Sequence, residues 1–157
     1  MSRAAVSQFV ISILLASSVS AHVRVVVPSN QYKPDEKIYA SVENDGGEPV
    51  TFCVEMGQTS TNHIIIESTP VPFIVEMEIN QGWRTLLIGP DVGSSRQPVV
   101  LKPQESLKFP FWLHSHGRIR LRLLYWRGAK PELNCAKPPR GAHNAKSATF
   151  AFLEVED

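Results

Sequence analysis

The side chains in this sequence best equipped for chemistry are a run of arginines, five histidines and two cysteines. Arg118, Arg120 and Arg122 alternate with Ile119, Leu121 and Leu123, and Leu124 and Trp126 continue the arginine side. Just before them, Lys108, Pro110 and Trp112 alternate with Leu107, Phe109, Phe111 and Leu113. A period of two places each set on one side of a strand. Arginine offers a planar fork for carboxylate or phosphate, and tryptophan a face for a sugar ring or a cation. If the two strands share a sheet, Lys108, Trp112, Arg118, Arg120, Arg122 and Trp126 form a basic-aromatic surface for an anionic ligand or a partner protein. If they lie in opposite sheets the surface is split, and its charges with Pro110 read as protection of a sheet edge.

The histidines are His22, His63, His114, His116 and His143. His114-Ser115-His116 places two imidazoles in one turn. His22 becomes the first residue if a leader is removed, and a free amine and an imidazole can then chelate copper together. Copper(II) favours nitrogen ligands in a tetragonal plane. The metal-site expectation is therefore His22 with His114 and His116, set against ordinary loop histidines. No GxSxG nucleophile elbow, HExxH zinc motif or glycine-rich phosphate loop is present. Asp91 reads as a turn residue, and the alternating Glu76 and Glu78 read as a solvated face. These signals point away from an enzyme, and no cofactor other than copper is suggested.

The elements that position these groups begin after residue 21. Arg3, the apolar run from Val6 to Ala16, and Val19-Ser20-Ala21 have the form of a secretory leader cleaved after Ala21. The apolar run falls short of the ~20 residues that span a bilayer. The expected division is a signal peptide, 1–21, and one domain, 22–157, secreted or periplasmic. Of sixteen basic residues only Arg3 lies in the leader, so the remaining fifteen balance fifteen acidic ones. That balance excludes nucleic-acid binding driven by bulk charge. In an oxidising compartment Cys53 and Cys135 pair by default. Closing so long a loop stabilises by roughly 4 kcal/mol in the chain-entropy model. Neither a CxxC spacing nor a flanking group suggests a redox pair.

All twelve prolines follow residue 21, and no stretch between them makes a convincing helix. Short β-branched runs between turns predict an all-β protein of roughly eight or nine strands in two packed sheets. Asn44-Asp45-Gly46-Gly47 and Asn80-Gln81-Gly82 read as hairpin turns. Val50, Phe52 and Val54 share one face of their strand, and Cys53 points to the other. The proline-rich segment 129–146 is long for a compact domain, and a bond from Cys135 to Cys53 would pin it.

The stretch Ser41-Val42-Glu43-Asn44-Asp45-Gly46-Gly47-Glu48-Pro49-Val50-Thr51-Phe52 resembles a hairpin of immunoglobulin- and fibronectin-III-like bacterial domains. The run from Leu101-Lys102-Pro103-Gln104-Glu105-Ser106-Leu107 through Gly117-Arg118-Ile119-Arg120-Leu121 is similar to their turn, strand, glycine, strand pattern. The resemblance implies an immunoglobulin-like sandwich of two antiparallel sheets but no particular activity. The cysteine positions depart from the antibody pattern, so a disulfide here would not be the usual bridge between sheets. An N-terminal histidine on such a fold also resembles the copper brace of lytic polysaccharide monooxygenases and periplasmic copper carriers, at His22 alone. The leading expectation is a secreted, non-enzymatic binding or structural domain, and the alternative is a copper-binding protein.

Overall fold

The computed structural model describes residues 22–33, 36–56, 59–61, 64–66, 72–86, 95–113 and 117–153. The expected leader, His63, Asp91, His114 and His116 lie outside these residues. The strands are β1 (Val23–Val26), β2 (Gln31–Tyr32), β3 (Ile38–Asn44), β4 (Val50–Met56), β5 (Thr59–Thr61), β6 (Ile64–Ile66) and β7 (Phe73–Ile79). They continue as β8 (Gly82–Thr85), β9 (Ser95–Leu101), β10 (Ser106–Phe111), β11 (Arg118–Arg127), β12 (His143–Lys146) and β13 (Phe150–Phe152). A three-stranded sheet, β1-β3-β10, packs on an eight-stranded sheet centred on β11, while β5 and β6 pair by themselves.

The expected all-β sandwich is what forms. The strands outnumber the expectation in part because β2, β5 and β12, of two, three and four residues, are too short to carry a readable period. Pairing is antiparallel except between β13 and β2, which run parallel.

Strand β11 organises the large sheet. Along one edge it pairs with β7 through Ile119–Leu123 and with β4 through Tyr125–Arg127. Along the other it pairs with β13 and β12. Its alternate residues Ile119, Leu121, Leu123 and Tyr125 are buried, as are Val50, Phe52 and Val54 of β4 and Ile38, Ala40 and Val42 of β3. Phe109 of the small sheet meets Phe52 and Phe73 of the large one edge-on, at ring separations of 6.0 and 5.8 Å. Such contacts add about 1 kcal/mol each beyond the area they bury, and here they lock the two layers together.

One expectation needs correction. The turn at Asn44–Gly47 does not close a hairpin, because β3 belongs to the small sheet and β4 to the large one. Asn44 explains why. Fully buried, its Nδ2 donates to Glu48 O at 2.8 Å and Lys102 O at 3.2 Å, and its Oδ1 accepts from Gly46 N at 3.1 Å. It thus ties the β3–β4 crossing to the β9–β10 crossing, which runs between the same two sheets. Of the two arrangements open to β10 and β11, the second holds: they lie in opposite sheets. The other hairpin forms as expected: Asn80 and Gln81 adopt φ of 51° and 64° between β7 and β8. Two left-handed residues match the twist of paired strands.

Candidate functional site

The split between β10 and β11 divides the basic-aromatic surface expected from the sequence into two separate faces. Arg118, Arg120 and Arg122 lie on the outer face of the large sheet, and β7 lies beside them. Its register sets Glu76 opposite Arg120. Arg120 Nε donates to Glu76 Oε2 at 2.7 Å, and Arg122 Nε lies 2.7 Å from Oε1 as an ion pair without hydrogen-bond geometry. Arg118 reaches Glu78 at 2.8 Å. Glu76 is buried rather than solvated, contrary to the reading of its alternation with Glu78. Burial opposes its ionisation, but the hydrogen bond from Arg120 and the charges of Arg122, Arg120 and Lys146 outweigh that and hold its carboxyl below the ordinary value. A carboxylate kept ionised between two guanidinium groups has no proton to give and little appetite for one. Arg120 also lies over the Trp83 ring, 4.0 Å from its centroid. The arginines are therefore engaged within the protein itself.

Trp126, at the other end of the same face, is buried. It packs with Leu133 and Cys135, and Cys53, Leu124 and Ala142 lie against them, forming a second small core outside the sheet. Its indole Nε1 donates to Pro139 O at 3.2 Å. The disulfide Cys53–Cys135, with Cα atoms 5.7 Å apart, fastens this cover to β4. Thr51 assists from the same strand: its hydroxyl donates to Gly128 O at 2.8 Å and accepts from Lys130 N at 2.9 Å. The bond expected from the cysteine count is present, on an outer face rather than between the sheets. It fits an oxidising environment.

On the small sheet the outward positions are Tyr39 and Ser41 of β3 and Lys108 and Pro110 of β10, with Lys37 and Trp112 just beyond the paired strands. Pro110 stands opposite Tyr39, and Lys108 opposite Ser41. The Lys37 ammonium lies 4.3 Å from the centroid of Trp112 and 5.6 Å from that of Tyr39. Tyr39 is 51% exposed. Among the described residues no carboxylate lies within ion-pair distance of Lys37 or Lys108. The neighbouring Glu36 carboxylate accepts from Lys33 N at 2.8 Å. Farther along the sheet, Arg24 pairs with Glu43 at 2.9 Å and with Asp45 at 2.7 Å. Sequence reasoning found Lys108 and Trp112 here but missed Lys37 and Tyr39. Their signal was present, since both alternate with the buried Ile38 and Ala40.

Of the metal candidates only His22 falls among the described residues. It is exposed, with Nδ1 4.0 Å from Asp45 Oδ2, an oxygen that Arg24 also holds. Among the described residues no group of three or more His, Cys, Asp or Glu side chains gathers that could hold a metal ion. His143 stacks on Tyr125 at 5.4 Å. No helix among the described residues is long and apolar enough to cross a membrane.

No protein-family model matches the chain, and none of the curated proteins does. Among solved structures, the ASH / PapD-like domain of human CEP192 (PapD-like domain 7) is similar over 99% of this chain and 100% of that one, with 13% identity and a TM-score of 0.38. The two-sheet sandwich is defined by the strand pairing of this chain.

Proposed function

We propose that the chain is an exported, non-enzymatic β-sandwich domain with a binding or structural role at the cell envelope or outside the cell. The observation that carries this reading is the Cys53–Cys135 disulfide, which clamps an irregular segment over the Trp126 face. Such a clamp has value where thiols are oxidised and little where they are kept reduced. The charged clusters point the same way. Glu76 is held between Arg120 and Arg122, an arrangement that supports a face and offers no acid, base or nucleophile to a substrate.

Intact-mass measurement and peptide mapping of the chain expressed with an export pathway test the proposal. The expected product is extracytoplasmic, begins at His22 and carries a peptide pair linked through Cys53 and Cys135. A full-length product that stays in the cytoplasm with both thiols free overturns it.

A further inference from the structure

The outer face of the three-stranded sheet remains unexplained by packing. We propose that Lys37, Tyr39, Lys108 and Trp112 form a binding surface for an acidic polysaccharide, a ligand class that rests on the reading of an exported binding domain. Tyr39 is one of two large hydrophobic residues found exposed among those described. A phenol ring suits a sugar: its face packs on ring C–H groups while its hydroxyl meets the sugar hydroxyls. On either side of it are two lysines with no carboxylate partner among the described residues. Lys108 stands opposite Ser41, four residues along β3 from Lys37, so the two stems are set about 13 Å apart along the strand direction. A chain laid along the strands would meet a cation, the Tyr39 ring and a second cation in turn.

Trp112 acts as a positioning residue. With the Lys37 ammonium 4.3 Å from its ring centroid, it restrains a side chain that otherwise loses much rotamer freedom on binding. The alternatives fit less well. An acidic peptide docks most readily on a sheet edge, where its backbone can hydrogen-bond, whereas this surface is a face. Nucleic acid calls for a strong basic excess, and the domain has none.

The test is binding of the full chain to alginate, which carries carboxylates, to heparin, which adds sulfates, and to neutral dextran, by isothermal titration at low and moderate salt. The expected result is binding to alginate or heparin that weakens with salt, and none to dextran. Lys37→Gln with Lys108→Gln should weaken it about tenfold or more. Tyr39→Ala should weaken it severalfold, and Tyr39→Phe should restore most of that loss. Trp112→Leu should weaken binding less than the double lysine change does. Arg118→Gln, on the opposite face, should leave it unchanged. Unaltered melting curves establish that each variant is folded. Failure of the wild-type chain to bind either acidic polymer overturns the proposal, as does equal loss in Arg118→Gln or equally strong binding to double-stranded DNA. Each of these outcomes leaves export and the disulfide standing, because those are read from the mass and location of the product.

Discussion

On the large sheet Glu76 sits within 2.7 Å of both Arg120 and Arg122, whereas on the small sheet Lys37 and Lys108 face serine, tyrosine and tryptophan. Both faces alternate cations with apolar core residues, and in both an aromatic ring lies beside a cation. Only the cross-strand neighbour differs. Strand β7 supplies carboxylates in register with the arginines, while β3 supplies Ser41 and Tyr39 in register with Lys108 and Pro110. A charged face closes on itself when its partner strand carries the opposite charge, and otherwise stays open to a ligand. The large-sheet face should therefore be sensitive to mutation through stability, and the small-sheet face through binding.

The largest effect should come from the cover over the large sheet. Replacing Cys53 and Cys135 together by alanine frees a loop with a sequence separation of 82. The chain-entropy model gives a loss of about 4 kcal/mol, on the order of 15 °C in melting temperature for a domain of this size. Trp126, covered by the tethered segment, should be the first tryptophan to become exposed. Calorimetry with fluorescence checks both. A drop of only a few degrees with unshifted emission would mean that the Trp126–Leu133 contacts hold the segment without the bond, and that this face closes by packing alone.

The next effect is electrostatic. Glu76→Gln leaves Arg120 and Arg122, each mostly buried, without their shared carboxylate, and should cost about 2 kcal/mol. The pH dependence has a definite sign. The Glu76 carboxyl titrates below its ordinary value of 4.5 in the folded protein. Its contribution is therefore fully present above that value and is lost as pH falls through the lower folded one. Urea denaturation from pH 7 down to acid should show a steeper loss for the wild type than for Glu76→Gln. The Arg118–Glu78 pair, at 2.8 Å, provides the contrast: with the Arg118 side chain 62% exposed, Arg118→Gln should shift stability by less than about 0.5 kcal/mol. Equal costs at the two positions would remove the distinction between a carboxylate shared by two mostly buried arginines and one paired with an exposed arginine.

Much of this was legible in sequence, and what was not has a physical reason. The burial of Ile119, Leu121, Leu123 and Tyr125, the outward turn of Cys53 and the Asn80–Gln81 hairpin follow from local periodicity and turn chemistry. Periodicity assigns a residue to a face but says nothing about the neighbouring strand. The same limit hid the sheet change at Asn44, where a glycine-rich turn serves a crossing as well as a hairpin. It also hid the role of Glu76, whose alternation with Glu78 looks like any wet face until β11 lies beside it. Trp126 read as exposed because its cover, residues 128–142, has no strand pattern and is placed by Cys135 and by Trp126 itself.

The smallest stability effect belongs to the open face, and there a near-zero result is informative. Tyr39 is half exposed, and its ring is outside the core cluster shared by the two sheets. A side chain that packs on nothing essential costs little to remove, so Tyr39→Ala should change the urea midpoint by an amount equivalent to less than about 0.5 kcal/mol. The cost of keeping an exposed ring there must then be offset by something other than folding. A loss of about 2 kcal/mol instead would show that Tyr39 braces β3 against β10. In that case both faces would be structural, and the reason for an open cationic-aromatic surface on the small sheet would disappear.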